Sequence, residues 1–228
     1  AQAIAYLACQ FNVPAHIVMP ENSSPVKISN AKKWGAEIIL CGPTIESRLS
    51  VAESVLKEQG GTMIPPFDHE WIMEGQATCA MEIIGEIDDI DMVIAPLGGG
   101  GLLSGSALAA KHFSPTTAVI GAEPQNASDG YEGLKSGNRV ESHSVNTIAD
   151  GLRTTVGVAP FGVIKERVDD IWLADENEIL PWQKRIMREL KVVIEPSSAV
   201  PFAAMEKHKE EIKGKRVAVI VSGGNVDL

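Results

Sequence analysis

The sequence predicts an α/β protein with two open, parallel-sheet lobes. Short apolar runs of strand length alternate with amphipathic helical segments along the chain, which is typical of βαβ units. The alternation occurs in two series, and Pro65-Pro66 interrupts the chain between them. Two apolar runs of the second series end in glycine-rich turns, at the strand ends where parallel sheets receive ligands. We therefore predict a small lobe at residues 1–63 and a large, ligand-binding lobe at residues 64–228.

The first series predicts the elements of the small lobe. AQAIAYLACQF places Ile4, Leu7 and Phe11 on one face of a helix. The elements that follow are a strand at His16–Met19, a helix between Pro25 and Gly35, a strand at Glu37–Leu40 and a helix that ends at Gly60-Gly61. Because the helical pattern starts at Ala1, with nothing before it to cap the helix, we expect the chain to be incomplete at its N-terminus.

The second series predicts four strands and five helices for the large lobe. The strands are Met92–Leu97, Ala118–Glu123, Asp170–Ala174 and Arg216–Val221. The helices are Trp71–Ile84, one from Leu102, one within Asn126–Ser136, Asp175–Leu190 and one that follows Glu195-Pro196-Ser197. Asp175 and Glu178 have the spacing of a capping box at the start of their helix.

The composition argues against several classes of protein. Lys and Arg number 20 and Asp and Glu 30, and this net charge of −10 argues against a nucleic-acid partner. The longest apolar runs, such as Val217–Val221, are far shorter than the roughly 20 residues that span a bilayer, so we expect no membrane segment. Three widely spaced cysteines without a CxxC pair indicate neither a disulfide framework nor a zinc site, and we expect a cytoplasmic protein.

Four consecutive glycines, Gly98 to Gly101, stand between a predicted strand and a predicted helix. Without Cβ atoms this backbone can bring its N–H groups up to an anion, and a helix N-terminus favours negative charge. The turn therefore predicts a phosphate site, against the alternative of a close-packed turn without a ligand. No Gly-Lys-Ser/Thr follows, which excludes a P-loop. The spacing does not fit the dinucleotide fingerprint either, but Glu123 at the end of the next strand keeps a nicotinamide-dependent oxidoreductase open.

Two further segments carry candidate ligands. Ser222 follows the last predicted strand, so its hydroxyl is expected at the same sheet edge as the glycine turn, and a shared pocket is favoured. Glu123 and Asp129 flank a loop whose carboxylates and carbonyls can bind Mg²⁺ or Ca²⁺. From these residues alone, a solvated acidic loop with a helix cap is the better interpretation.

The motifs together resemble the fold-type II pyridoxal-phosphate enzymes, in the branch of the serine/threonine dehydratases and serine racemase. The stretches that carry the resemblance are AQAIAYLA, MPENSSPVKISNAKKWGAEIILCG, PPFDHEWIMEGQATCAMEI, PLGGGGLLSG, GAEPQNASD, TIADGL, IEPSSAV and VSGGNVDL. The resemblance implies a fold like that of the tryptophan synthase β chain, pyridoxal 5'-phosphate as cofactor, a small hydroxyamino acid as substrate and a homodimer. The implied reaction is β-elimination of L-threonine or L-serine to a 2-oxo acid and ammonia, with serine racemase as the alternative.

The resemblance also implies roles for individual residues. The residues implied to bind the cofactor are Gly98, Gly99, Gly100, Gly101 and Leu102 at its phosphate, Ser222 at its pyridine nitrogen, and Gly151 and Glu195 nearby. Glu123, the carbonyl of Ala127 and Asp129 match the divalent-cation site of the racemase-like members. This match favours Mg²⁺ or Ca²⁺ over a solvated loop, and it weakens the dinucleotide alternative.

The sequence departs from the family pattern in one respect. In the family, the Schiff-base lysine and a Ser-Gly-Asn-His loop precede the AQA-type helix, whereas no lysine of this sequence stands in such a motif. We therefore assign no catalytic residue. A non-catalytic phosphate-binding module remains a further alternative.

Residues 1–228, purified without further sequence, are accordingly expected to be catalytically dead or nearly so, because the lysine that would carry the cofactor is not matched. The measurement is release of 2-oxo acid and ammonia from L-serine and L-threonine, with the chain length verified by intact mass. Sustained turnover by the mass-verified chain would contradict this expectation.

Overall fold

The computed structural model describes residues 1–226, which form two compact units, Ala1–Ile64 and Pro65–Val226. Each unit combines helices with a parallel sheet, so the predicted α/β fold class is confirmed. Asp227 and Leu228, which end the VSGGNVDL stretch and the predicted large lobe, lie outside the described residues. Within residues 1–226, no helix is both long and apolar enough to cross a bilayer.

The first unit contains all five of its predicted elements. They are α1 (Gln2–Phe11), β1 (His16–Pro20), α2 (Pro25–Lys33), β2 (Glu37–Cys41) and α3 (Ile45–Gln59). Strands β1 and β2 pair in parallel, with His16 opposite Glu37. Pro25 opens α2, where its missing N–H leaves no helical bond unmade. Thr44 caps α3 by accepting a hydrogen bond from Ser47 N at 3.1 Å.

The second unit is built on a four-stranded parallel sheet of order β5-β4-β3-β6. Its strands are β3 (Met92–Pro96), β4 (Ala118–Pro124), β5 (Asp170–Ala174) and β6 (Val217–Val219). Its helices are α4 (Glu70–Glu86), α5 (Gly101–Phe113), α6 (Asp129–Ser136), α7 (Val158–Arg167), α8 (Glu176–Leu190), α9 (Pro196–Met205) and α10 (Lys209–Ile212). Short 3₁₀ turns lie at Asp150–Leu152 and Glu206–His208.

Alternate residues of β3 face two separate hydrophobic clusters. Ile94 joins a cluster with Ile179 of α8 and Val200 of α9. Val93 joins the other cluster, on the opposite face, with Leu103 of α5 and with residues of α7. All five residues of β3 are buried, because helices cover both faces of the sheet and strands flank β3 on both sides. The strand that leads into the glycine turn is therefore fixed by helices on both faces and by strands on both flanks.

Helices α7 and α10 and the start of α8 differ from the predictions. Neither α7 nor the four-residue α10 was predicted, and in α7 Pro160 and Gly162 obscure the local pattern. The capping-box prediction for α8 is wrong in its side-chain bond. Asp175 is the N-cap residue, but its carboxylate binds Lys207 Nζ at 2.6 Å rather than a helix amide. Strand β6 is also shorter than the predicted run, ending at Val219.

Helices α4 and α5 pack at backbone distance where they meet at Gly105. A Cβ at Gly105 would overlap the carbonyl oxygen of Met73 and would lie 2.7 Å from Ala77 N. The buried alanines Ala77, Ala80 and Ala109 continue the same close contact. Only a residue without a side chain fits between the two helices at this point.

Gly105→Ala is expected to destabilise the protein by about 1–3 kcal/mol, because the added methyl group forces the two helix backbones apart. Gly75→Ala is the matched control: Gly75 lies on α4 with open space around it, and the change should stabilise by about 0.5–1 kcal/mol through helix propensity. Urea unfolding of both variants measures the difference. Equal effects at the two positions would show that helix packing does not require the glycine.

Candidate active site

The glycine turn and Ser222 lie at the same edge of the larger sheet. The glycine turn follows β3, and Ser222 follows β6, the parallel neighbour of β3. The pairing continues one residue beyond β6, where Ile220 N donates to Ile94 O at 2.9 Å. Carboxyl ends of adjacent parallel strands face the same crevice. The structure thus brings together the two turns that the sequence singled out.

The amino end of α5 has no side-chain cap. Gly100 is its N-cap residue, with a left-handed φ of 92° that favours glycine, and it contributes no side-chain cap. Ser104 N donates to Gly100 O at 2.9 Å, and Ser104 Oγ donates to the same carbonyl at 2.7 Å. The first amides of a helix otherwise need a partner, and a phosphate fits that need. Leu102, in the first turn, packs against the cluster that contains Val93.

The glycines are also required by close packing. A Cβ at Gly98 would lie 2.9 Å from Gly151 O, and one at Gly100 would lie 2.8 Å from Pro160 Cβ. A Cβ at Gly99 would overlap the ring of Phe67. Close packing therefore explains why Gly98, Gly99 and Gly100 are glycines, which the sequence did not indicate. This explanation is compatible with a phosphate at the helix end.

Phe67 and Asp68 support the turn from outside its own sequence. The Phe67 ring packs on Gly99, while the Asp68 carboxylate accepts bonds from Val158 N and Ala159 N, both at 2.9 Å. Asp68 thereby caps α7, whose Pro160 in turn contacts Gly100. The PPFDHE stretch contributed to the resemblance, but no role was predicted for these two residues.

Gly151 and Glu195 link the glycine turn to the Ser222 turn. Gly151 lies against Gly98 on one side, and a Cβ at Gly151 would lie 3.4 Å from Glu195 Oε1 on the other. Glu195 is buried, and its N donates to Gly223 O at 3.0 Å. Its carboxylate accepts from Asn225 N at 3.2 Å. The predicted cofactor residues therefore form one continuous group, whose binding role stays a prediction.

Two buried serines of α9 complete this group, and sequence analysis missed both. Ser197 Oγ accepts a hydrogen bond from Gly151 N at 3.0 Å. Ser198 Oγ bonds both to the backbone of Gly223 and to Ser222 Oγ, the latter at 3.1 Å. A possible signal was the pair of hydroxyls directly after Glu195-Pro196, in a helix that otherwise buries apolar residues.

The carboxylates of Glu123 and Asp129 are buried next to each other but bind different amides. Glu123 Oε1 and Oε2 accept from Gly130 N at 2.9 Å and Tyr131 N at 2.8 Å, which caps α6. Asp129 Oδ2 accepts from Val156 N at 2.8 Å. Because Glu123 is turned toward α6 and only 1% exposed, it is poorly placed to bind the ribose that the nicotinamide alternative requires.

Burial makes these two acids unfavourable to ionise together. It raises the pKa of Glu123 well above its usual value, and the Asp129 charge raises that pKa further, against the two amide bonds. Burial likewise raises the pKa of Asp129, while the amide of Val156 and then nearby His143 act in the opposite direction. His143 Nε2 lies 3.4 Å from Asp129 Oδ1. A divalent cation would offset both charges.

The donor set for such a cation is small. Within residues 1–226, no three His, Cys, Asp or Glu side chains are grouped so as to hold a metal ion. A cation here would depend on the two carboxylates and the carbonyl of Ala127, a residue that is only 1% exposed. Oxygen donors of this kind suit Mg²⁺ or Ca²⁺, and water would complete the coordination.

Comparison with known proteins identifies the family. Residues 1–223 match the family described as "Pyridoxal-phosphate dependent enzyme". The chain belongs to this family. Pyridoxal-phosphate-dependent enzymes need a phosphate site, so membership accounts for the glycine turn without a dinucleotide, and the nicotinamide alternative is set aside.

The relatives in this family include racemases and lyases. The chain is 40% identical to a serine racemase of Schizosaccharomyces pombe, covering 100% of this chain and 71% of the relative. It is 42% identical to an L-threo-3-hydroxyaspartate ammonia-lyase of Saccharomyces cerevisiae, covering 100% of this chain and 70% of the relative. Maize serine racemase has a similar solved structure, with a TM-score of 0.95 at 38% identity over 100% of this chain and 71% of that one. The solved structure of a T.th. threonine deaminase gives a TM-score of 0.92 at 38% identity over 100% of this chain and 75% of that one.

Family membership indicates pyridoxal phosphate as the cofactor, and the site fits it. The uncapped amino end of α5 suits the phosphate, and the exposed Ser222 hydroxyl suits a ring nitrogen at the neighbouring strand end. Two lysines of this unit lie away from the site. Lys111 and Lys135 form ion pairs with Asp169 and Asp170 at the amino ends of the strands, whereas the glycine turn and Ser222 lie at the carboxyl ends.

Proposed function

We propose that the protein catalyses β-elimination on L-hydroxyamino acids with pyridoxal phosphate, converting L-serine or L-threonine to a 2-oxo acid and ammonia. The observation that carries the proposal is the uncapped end of α5 beside the Ser222 hydroxyl at one sheet edge. Gly151 and Glu195 join these two features through contacts at hydrogen-bonding or van der Waals distance. The family assignment supports a cofactor of this kind at that edge.

Each part of the group has a proposed task. The amides of Gly98–Gly101 and Leu102 would hold the phosphate, and Ser222 would hydrogen-bond the pyridine nitrogen, with Gly151 and Glu195 nearby. When bound, pyridoxal phosphate withdraws electrons from the α-carbon of the substrate. A serine hydroxyl stays neutral at a pH where a carboxyl group is ionised. It therefore stabilises a protonated ring nitrogen less than a carboxylate does. The resulting moderate electron withdrawal suits elimination and racemisation.

The names of the relatives support a small set of candidate substrates. They are named serine racemase, L-threo-3-hydroxyaspartate ammonia-lyase, β-hydroxyaspartate dehydratase and threonine deaminase. Serine, threonine and hydroxyaspartate all carry a β-hydroxyl, which is the group that β-elimination removes. Serine racemase is the second candidate function, supported by the 40% identity to the Schizosaccharomyces pombe racemase.

The natural full-length protein, supplied with pyridoxal 5'-phosphate, is expected to release 2-oxo acid and ammonia in equal amounts from L-serine or L-threonine. L-threo-3-hydroxyaspartate is assayed beside them, and chiral chromatography measures D-serine. Formation of D-serine without 2-oxo acid would favour the racemase function over the lyase function. No product of either kind from any of these substrates would contradict both functions.

Gly100→Ala is expected to weaken cofactor binding at least about tenfold, because Ala is strained at a left-handed φ and would crowd Pro160 at the helix end. Gly162→Ala on α7, where open space surrounds the glycine, is the matched control and should bind normally. Equilibrium binding of pyridoxal 5'-phosphate measures both. Unchanged binding by a folded Gly100→Ala protein would place the phosphate elsewhere.

We also propose that Glu123, the Ala127 carbonyl and Asp129 bind Mg²⁺ or Ca²⁺. The support is the resemblance to racemase-like members together with two adjacent buried carboxylates of raised pKa. Saturating cation should raise the melting temperature, because a hundredfold excess over Kd adds about 2.7 kcal/mol to the free energy of unfolding. Asp129→Ala should lose this response, whereas Glu141→Gln, at a side chain that is 85% exposed, should keep it. A full cation response in Asp129→Ala, measured against a chelator reference, would refute the site.

A further inference from the structure

The hydroxyl of Ser198 lies directly behind that of Ser222. Ser198 is fully buried in the first turn of α9, whereas Ser222 is exposed at the sheet edge. The two Oγ atoms are 3.1 Å apart. Ser198 Oγ also lies 2.7 Å from Gly223 O and 2.7 Å from Gly223 N. A buried side chain with three short polar contacts has little freedom to reorient.

Counting protons assigns a direction to each of these bonds. A serine hydroxyl has one proton to donate and two lone pairs to accept with. Gly223 O can only accept, and two oxygens 2.7 Å apart repel each other without a proton between them, so the Ser198 proton points to Gly223 O. Gly223 N donates to one lone pair of Ser198. The second lone pair of Ser198 faces Ser222 as an acceptor.

We propose that Ser198 is a positioning residue that draws the Ser222 proton toward itself, so that Ser222 presents a lone pair to the ring nitrogen of the cofactor. Compared with a hydroxyl that donates its proton to the ring nitrogen, a lone pair favours the protonated nitrogen and so increases electron withdrawal, although less than a carboxylate would. The proposal rests on the proposed contact between Ser222 and that nitrogen. It makes the acceptor behind the serine, and not the serine alone, a determinant of the cofactor's electronic state.

The test measures protonation of the ring nitrogen directly. The natural full-length protein is loaded with pyridoxal 5'-phosphate labelled with ¹⁵N in the ring, and the ¹⁵N chemical shift is followed against pH. Ser198→Ala frees the Ser222 proton to donate to the ring nitrogen. We expect the ring-nitrogen pKa in this variant to fall by about one unit, a tenfold change in the protonation constant.

Ser106→Ala is the matched control. Ser106 is also fully buried, on α5, but among the described residues its hydroxyl has no hydrogen-bond partner, so it is not connected to Ser222. Its loss should leave the ring-nitrogen pKa in place. Ser198→Cys is the second variant, in case the alanine variant does not retain cofactor. It fills the site with a slightly larger sulfur that is a weaker acceptor, and it should also lower the ring-nitrogen pKa.

Ser222→Ala and the double variant separate the possible failures. If Ser222→Ala shifts the ¹⁵N signal and Ser198→Ala does not, the positioning role is overturned while the Ser222 contact stands. A Ser198→Ala effect that persists in the Ser222→Ala background would act through the backbone of Gly223 and would also overturn the role. If Ser222→Ala itself leaves the signal unchanged, the proposed contact between Ser222 and the cofactor fails.

Discussion

The contact between the glycine turn and its neighbours is the constraint on which the larger unit depends. Gly98 meets Gly151, Gly99 meets the Phe67 ring, and Gly100 meets Pro160 of α7. Each approach is too close for a Cβ, so the same residues that leave the amino end of α5 open also bring three distant segments against it. Packing and ligand access are therefore one requirement in this turn. A packed turn and a phosphate site, which are alternatives when only the sequence is considered, are compatible here.

The parts of the structure that were predicted depend on local pattern. Short continuous apolar runs located the strands, period-3.6 hydrophobicity located most helices, and parallel pairing followed from their alternation. The parts that were missed depend on long-range bonds. Asp68 caps α7 from a position 90 residues earlier in the chain, and Asp175 binds Lys207 32 residues away instead of its own helix. No spacing within one segment contains that information.

Glu123 shows how one side chain fits several sequence-based interpretations. Its place at the end of β4 suits a ribose-binding acid, and its partner Asp129 suits a cation site. In the structure its two oxygens bind the first amides of α6, a stabilising position for a carboxylate. Those bonds do not offset the burial that raises its pKa. A helix cap therefore explains where Glu123 points, but it does not explain why a second carboxylate is buried beside it.

The first turn of α9 buries two hydroxyls in a helix whose other residues are apolar. Ser197 and Ser198 are 2% and 0% exposed, and a buried hydroxyl without a hydrogen bond is costly. Each accepts a hydrogen bond from a glycine amide: Ser197 from Gly151 in the Asp150–Leu152 turn, and Ser198 from Gly223 beside Ser222. Alanine would fill the same space, but it would leave both glycine amides without these acceptors. The hydroxyls thus join α9 to the Asp150–Leu152 turn and to the Ser222 turn, and only Ser198 also reaches a side chain that a ligand can contact.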